Sequence, residues 1–332
     1  LQQQLTPYLN KPITFAQLIA ARTAITKYYT KNNYITSGAF IPPQTMSDNG
    51  TVTLRVVEGK VGEINVNIQG RLNENYIKSR LEKATTAPLN QEKLVSALQL
   101  LQIDPLVKTI SAELSSGVRP DTSRLDIRIE TANPWQIETI SNNGRAPSVG
   151  TFRRGVEVGH RNVTGFGDSL NTLYTNTDGS DMVEVSYAIP LNSSNGRIEL
   201  FYRHRDNKVV ESPFERLDIE SNSNTYKLSF SQPIMQTPWQ TLTLGLSAIK
   251  RDSQTSILGE NYPLSEGADE NGETKLSILQ LFQDYELRGK NQVLAFNSQL
   301  NVGLGILDAT KNSNEPDSRF LYWRGQGQWV RE

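Results

Sequence analysis

The pattern of apolar and polar residues divides the chain near residue 133. Before that point, apolar residues recur at steps of three and four in some stretches and at every second position in others. After it, alternation dominates and no stretch shows convincing helical periodicity. The pattern therefore predicts mixed helices and strands over 1–133 and an all-β region over 134–332.

Helix signals occur at three places in the first region. Thr14 and Gln17 have the spacing of a capping box, in which each side chain satisfies a backbone N–H of the other. Asn73 and Asn90 each precede a stripe of apolar residues and are predicted N-caps. The predicted helices cover residues 14–31, 73–83 and 90–102.

Strand patterns flank these helices, and a predicted turn at 48–50 separates the first two strands. From residue 61 the order is strand, helix, helix, strand, strand. The segment before it matches the same order without its first strand and most of its first helix. We therefore predict two similar modules, over 1–59 and 60–133. The predicted strands cover residues 34–41, 51–57, 61–68, 107–115 and 124–129.

Ten alternating segments follow residue 134, several of them near the ~9–11 residues that a tilted membrane strand needs. Strands of a soluble sandwich are shorter, about five or six residues. The links between segments are alternately short and longer, which is typical of an outer-membrane barrel. The predicted segments cover 135–142, 150–162, 167–177, 181–190, 195–205, 224–233, 238–250, 274–287, 291–307 and 317–330.

Aromatic residues near the strand ends fit the interfacial girdles of a membrane barrel, or the ordinary enrichment of aromatics in strands. They are Tyr174, Tyr187, Trp239, Trp323 and Trp329.

Composition removes several classes of function. The formal net charge is −1, which argues against a generally basic nucleic-acid binder. There is no Cys and there are two His, so thiol chemistry and a His-rich metal centre are not expected. Gly165-Phe166-Gly167-Asp168 lacks the third glycine of a dinucleotide fingerprint and is interpreted as a turn. We expect no enzyme, no cofactor and no metal. The chain opens without Met or a signal-peptide pattern, and we expect a fragment cut at both ends.

Two neighbouring stretches resemble a known family. The stretch from Tyr34 to Gln44, followed by Gly50 to Val61, resembles the first POTRA module of two-partner secretion transporters, the TpsB or hemolysin secretion/activation proteins. Asn33 stands where the family has Gly. The stretch from Gly155 to Asp168 resembles the family's early barrel strands. A Val-Arg-Gly-Tyr/Phe loop motif of the family is not found in the chain.

The resemblance implies a fold and a function. The fold would be α+β POTRA modules (β-α-α-β-β) followed by a transmembrane antiparallel β-barrel, with about ten of roughly sixteen strands present. Such a protein lies in the bacterial outer membrane, contacts its lipid, and keeps the POTRA modules in the periplasm. It exports a large unfolded exoprotein, recognised through the exoprotein's N-terminal secretion domain. We expect a monomeric barrel and no nucleic acid. The alternatives are an outer-membrane protein assembly insertase of the same superfamily, and a soluble β-rich binding or adhesion protein.

In such a transporter, the POTRA modules capture the substrate by β-augmentation, in which an extended chain pairs with a sheet edge. The resemblance places an edge strand in each module. The first comprises Ile35, Thr36, Ala39 and Phe40. The second comprises Lys108, Thr109, Ile110, Ala112 and Leu114, beside a groove of Leu94, Leu98 and Leu101. The alternative interpretation makes these Leu residues the core of the module, and it is favoured for any single one.

The predicted pore lining consists of charged residues on the polar side of the strands. Strand 195–205 places four charged side chains on one face and apolar ones on the other. These charges either tune what passes or are simply kept away from lipid. The predicted lining residues are Arg153, Arg161, Arg197, Glu199, Arg203, Arg205 and Arg324.

Overall fold

The computed structural model describes residues 1–45, 50–119, 121–313 and 316–332. These residues form two compact units, Leu1–Ala132 and Asn133–Glu332. The predicted turn at 48–50 lies mostly outside the described residues.

Among the described residues, no helix is both long enough and apolar enough to cross a membrane.

The first unit contains four helices and five strands. The predicted capping box is present: Thr14 N donates to Gln17 Oε1 at 2.9 Å and Gln17 N donates to Thr14 Oγ1 at 3.3 Å. The elements are α1 (Gln2–Leu5), α2 (Phe15–Lys31), β1 (Gly38–Phe40), β2 (Arg55–Val57), β3 (Lys60–Gln69), α3 (Glu74–Glu82), α4 (Gln91–Gln102), β4 (Val107–Ser116) and β5 (Thr122–Thr131).

The second module has the predicted order β-α-α-β-β, and its sheet has the strand order β3-β5-β4. β5 is parallel to β3 and antiparallel to β4. Every second residue of β5 is buried, from Ser123 to Ile129. Its apolar members pack with Ile77 and Leu81 of α3 in one core, which explains why the helices lie on a single face of the sheet.

The first module is smaller and differs from the predicted strands. β1 and β2 pair over three residues each, so the predictions of strands over 34–41 and 51–57 were too long. The backbone bends before β1 because Tyr34 N bonds to Tyr29 O and Ser37 N bonds to Tyr34 O. Against the core of this module, the Tyr29 hydroxyl donates to Glu58 Oε1 at 2.8 Å. Burial, together with this hydrogen bond, raises the pKa of Tyr29 to about 12.

The two modules meet where the C-terminal end of α2 faces the N-terminal end of α4. Gln91 N donates to Asn33 O at 2.8 Å, and the Asn90 side chain donates to Asn32 O at 3.3 Å. Asn90 also caps α4, since its Oδ1 accepts from Lys93 N. One free N–H of α4 and the side chain of its cap thus donate to two carbonyls beyond the end of α2, which satisfies part of each helix end. We call this contact the helix joint.

The second unit is one antiparallel meander with a short added strand. All ten alternating segments contain a strand, in the order of the chain. The strands are β6 (Trp135–Asn142), β7 (Arg153–Arg161), β8 (Ser169–Thr177), β9 (Ser180–Pro190), β10 (Arg197–Lys208), β11 (Glu220–Gln236), β12 (Gln240–Ile257), β13 (Glu260–Asn261), β14 (Glu273–Arg288), β15 (Gln292–Leu304) and β16 (Leu321–Arg331).

The links between these strands fall into two groups at opposite ends of the sheet. One end, the short-link end, carries the links at 162–168, 191–196, 237–239 and 289–291. The other, the long-link end, carries 143–152, 209–219, the link that includes β13 and the link after β15, together with a two-residue turn at 178–179. The predicted alternation of short and longer links is therefore present, with this turn as its exception.

Candidate functional site

The strand register gives the sheet of the second unit two chemically different faces. Tyr187, Leu200 and Leu228 lie beside one another on β9, β10 and β11, and the same row continues through Ala248 to Leu279. On the opposite face, the pairing of Ser229 with Ser247 continues through Gln280 to Asn301. One face is therefore mainly apolar and the other mainly polar from β9 to β15, along these rows.

Burial is the inverse of that in a water-soluble sheet. On the apolar face Leu228 is 51% exposed and Leu281 is 50% exposed, whereas on the polar face Ser247 and Asn301 are each 1% exposed. The buried polar groups are bonded to each other: Ser229 Oγ lies 2.8 Å from Ser247 Oγ, and Gln280 Nε2 donates to Asn301 Oδ1 at 2.8 Å. This arrangement suits a sheet whose apolar face contacts lipid.

All seven predicted lining residues lie on the polar face. The register places Arg153 and Arg161 on β7, Arg197, Glu199, Arg203 and Arg205 on β10, and Arg324 on β16. Several are paired within the face. Arg203 Nε donates to Glu184 Oε1 at 2.6 Å, Glu199 pairs with Lys227 at 3.0 Å, and Arg161 donates to Gln136 at 2.7 Å. That these side chains line a pore stays a prediction.

Sequence reasoning missed two arginines near this group. Arg251 shares the polar face but follows the predicted segment 238–250, because β12 extends through a polar stretch. Arg145 lies in the link between β6 and β7. Only the three-dimensional arrangement brings both close to Arg205, with which they interact electrostatically.

The aromatic residues predicted for the girdles lie mostly on the apolar face. Tyr174, Tyr187, Trp323 and Trp329 have this orientation by register, and Trp239 lies in the link at 237–239. Their role at a membrane interface stays a prediction.

The glycine-containing segment before β8 is a turn, as predicted. Asp168 Oδ1 accepts from the Thr164 N–H at 2.9 Å and its hydroxyl at 2.8 Å, while Asp168 Oδ2 accepts from the Tyr187 hydroxyl at 2.7 Å. Burial of Asp168 opposes ionisation, but these hydrogen bonds outweigh it and hold the pKa of its carboxyl below the usual value. Gly165 and Gly167 have positive φ, which a turn of this kind requires. Through these hydrogen bonds the segment holds the turn before β8 against Tyr187 of β9, which is a structural role.

In the second module, β4 is an edge strand that pairs with β5 alone among the described residues. Lys108, Thr109 and Ala112 are exposed along it, and Ile110 and Leu114 are half-buried. No other described backbone group bonds to its free side over 108–116. The predicted edge position of these residues is therefore present, while binding to a substrate stays a prediction.

The predicted groove beside β4 is partly wrong. Leu94 and Leu101 are 6% and 2% exposed, because α4 turns them into the core formed with β5. They are not accessible to a ligand. Leu98 is half-buried at the margin of that core and remains available as a groove residue.

In the first module, the predicted edge strand is also partly wrong. Ile35 and Thr36 lie in the turn before β1, where Thr36 packs tightly against Gly59. Ala39 and Phe40 do belong to β1, but Ala39 is buried and its edge is occupied. Ala39 N donates to Thr26 Oγ1, and Arg22 Nε donates to Ala39 O, both at 3.2 Å. Side chains of α2 therefore cover the edge that an incoming strand would need.

A mixed sheet covered by two helices, followed by a meander with an exposed apolar face, defines a class in which POTRA modules precede an outer-membrane β-barrel. Residues 1–59 match the model of the POTRA domain, ShlB-type, and residues 121–332 match the model of the haemolysin secretion/activation protein ShlB/FhaC/HecB. Since the second match covers more than half of the chain, the protein belongs to the haemolysin secretion/activation protein family.

Individual relatives agree with this assignment. The chain is 23% identical over 238 residues to the heme/hemopexin transporter protein HuxB of Haemophilus influenzae, covering 70% of this chain and 41% of that protein. It is 21% identical to the outer membrane transporter CdiB of Dickeya dadantii, covering 95% of this chain and 56% of that protein. The chain thus spans about half the length of these relatives.

A solved structure shows the same fold. CdiB from Escherichia coli matches with a TM-score of 0.72 at 18% identity, over 99% of this chain and 61% of that chain. At this identity the likeness concerns the fold alone.

Proposed function

We propose that this chain is the POTRA region and part of the barrel of an outer-membrane transporter that exports a partner exoprotein by two-partner secretion. The observation that carries the proposal is the inverted sheet, whose apolar face is exposed and whose polar face is buried. Family membership supports it, as do the transporter names of HuxB and CdiB. The POTRA modules, over 1–59 and 60–133, lie in the periplasm, and residues 134–332 cross the membrane.

In this proposal, the partner crosses the periplasm unfolded and pairs with β4 through its N-terminal secretion domain. Two observations support β4 over β1. The free side of β4 has no backbone partner among the described residues, whereas side chains of α2 occupy β1 at Ala39. Half-buried Ile110 and Leu114 also offer apolar contacts beside the edge. Main-chain hydrogen bonds would then supply affinity without a folded ligand.

The polar face lines the path through the barrel. Its charged side chains are kept away from lipid, where each would be costly, and hydrate a route for an extended chain. The barrel acts as a monomer in contact with outer-membrane lipid.

The function is tested by deleting the gene and comparing the proteins in the culture medium with those of the parent strain. We expect one large exoprotein to disappear from the medium while other outer-membrane barrels keep their amounts. A general loss of outer-membrane barrels, with no exoprotein affected, would contradict export and indicate an assembly insertase.

Capture at β4 is tested with a photo-crosslinking amino acid at Ala112 and the purified secretion domain of that exoprotein. Asn67 is the matched control, because it is exposed on β3, the other edge strand of the same sheet. We expect crosslinks from Ala112 that exceed those from Asn67. Equal yields from both positions would contradict a specific edge.

A further inference from the structure

Three arginines lie together on the polar face toward the long-link end, and a fourth lies in an adjoining link. Arg203 of β10 and Arg251 of β12 are the two cross-strand neighbours of Thr225 on β11. Arg205 is two residues further along β10, and Arg145 approaches from the link between β6 and β7. Arg145, Arg203 and Arg251 are all close enough to Arg205 to repel it electrostatically. We call these four side chains the arginine cluster.

The cluster has too few counter-ions among the described residues. Glu184 pairs with Arg203, and no ion pair is found there for Arg145, Arg205 or Arg251. Arg205 Nη2 contacts the sulfur of Met182 at 2.9 Å, a weak acceptor. Four positive charges thus face one carboxylate.

The guanidinium of Arg205 is the group in the cluster best placed to bind an anion. Its Nε is buried and has no hydrogen-bond partner among the described residues. A buried charged donor without an acceptor is destabilising, and an ionised acceptor would give it a strong, charge-assisted bond. The planar guanidinium fits a carboxylate in particular, through two parallel N–H···O bonds. The arrangement therefore offers donors that a carboxylate would satisfy.

The spacing of the arginines favours an extended polypeptide over a single small anion. Arg203 and Arg251 start from strands two positions apart, about 9.6 Å at the usual strand spacing of ~4.8 Å. An extended chain advances ~3.3 Å per residue and every second side chain shares a face, so carboxylates two residues (~6.6 Å) and four residues (~13 Å) apart bracket this distance.

We propose that the arginine cluster binds the carboxylates of an acidic stretch in the exported partner. The proposal rests on the proposed function, because it takes the exported chain as the ligand. During export the chain would enter the barrel at the short-link end and then bind the cluster near the long-link end. Such a contact is strong enough to retain an acidic stretch and is weakened by salt.

The test uses the purified protein in detergent and a fluorescent decaglutamate peptide, with binding followed by anisotropy. The cluster variant is compared with a control variant that removes three arginines from the same polar face elsewhere, so both lose the same charge. The cluster variant carries R203Q, R205Q and R251Q, and the control carries R161Q, R197Q and R324Q.

We expect the peptide to bind, and the cluster variant to bind roughly tenfold or more weakly, as for the loss of hydrogen bonds to charged groups. The control should change affinity less than about threefold. Equal losses in both variants would overturn the site, since they would indicate only the general field of the face. No binding to the unaltered protein, or binding of inorganic phosphate in place of the peptide, would also overturn it.

A single substitution and a comparison with export keep the test interpretable if the triple variant does not fold. R251Q alone changes an exposed side chain and breaks no described ion pair, so it tests the cluster if the triple variant does not fold. Peptide binding requires neither export nor a conducting pore. If gene deletion removes no exoprotein from the medium while the purified protein still binds the peptide, the proposed function is refuted and the site is not. If gene deletion removes one exoprotein but the purified protein does not bind the peptide, this site is refuted and the proposed function is not.

Discussion

The exposed apolar face of the second unit makes a substitution at Leu281 informative. Leu281 is half-exposed on β14, whose apolar face runs from Leu279 to Leu287. This stretch is about 27 Å long at ~3.4 Å per residue, or roughly 20 Å along the membrane normal for a strand tilted by ~40°. Leu281 therefore lies within the hydrocarbon layer, about 5 Å along the membrane normal from the midpoint of this stretch.

Leu281→Arg should lower the free energy of unfolding by ~1–3 kcal/mol, because the penalty for Arg is largest at the membrane midplane and falls towards the interfaces. This cost is roughly 5- to 160-fold in the folding equilibrium constant. If the same face contacted water, the substitution at an exposed site would stay within about 0.5 kcal/mol. The assay is reversible unfolding in guanidinium with lipid vesicles, followed by tryptophan fluorescence.

The matched control is Thr243→Arg, on the polar face of β12 and directly opposite Asp284 of β14. The new cation there meets an opposite charge, so we expect a change below about 1 kcal/mol. A cost for Leu281→Arg no greater than that for the control would refute the assignment of the two faces.

Three further predictions concern single contacts. Asn90→Ala should cost about 1–2 kcal/mol in chemical denaturation of the POTRA region, because α4 loses its cap. Tyr29 should titrate at about pH 12, followed at 295 nm. Since its folded pKa exceeds the ordinary tyrosine value of about 10, its contribution to stability is complete below pH 10 and is lost as pH rises towards 12. Gly245→Ala should cost about 1–3 kcal/mol in vesicle unfolding, because the new Cβ collides with the Phe282 ring.

For each of these three predictions, a second variant distinguishes the proposed cause from a general loss of stability. Asn90→Asp keeps the cap acceptor but cannot donate to Asn32 O, so it should lose less than Asn90→Ala. Tyr29→Phe should abolish the late titration; if the absorbance change persists, another tyrosine is responsible. Adding Phe282→Ala to Gly245→Ala should cost less than the sum of the two single changes, and strict additivity would show that the ring is not the obstacle.

The parts of the fold that depend on local sequence could be predicted. Caps at Thr14, Asn73 and Asn90 are short-range hydrogen bonds, and alternation of polarity reports directly which face of a strand each residue occupies. The ten alternating segments, and the position of Arg203 and Arg205 on the polar face, could therefore be predicted from the sequence. The class, POTRA modules followed by a barrel, was predicted from the resemblance of the motif residues to a known family.

The parts that depend on tertiary contacts could not be predicted. β11 and β12 extend beyond the alternating segments because Ser221 pairs with Thr255 and Asn222 with Gln254, where both faces are polar. The turn at Ile35 depends on hydrogen bonds to residues outside the strand pattern. Leu98 shares its apolar stripe with the buried Leu94, so only packing decides which one reaches the surface.

The helix joint has a geometric consequence for the periplasmic region. Its main hydrogen bond joins the Gln91 N–H to the Asn33 carbonyl, so it survives almost any change of side chain at these positions. Surfaces on either module can therefore vary while this backbone contact between the ends of α2 and α4 is kept. The joint thus couples the two modules at one backbone contact, so any partner that touched both would meet surfaces tied together at Asn33 and Gln91.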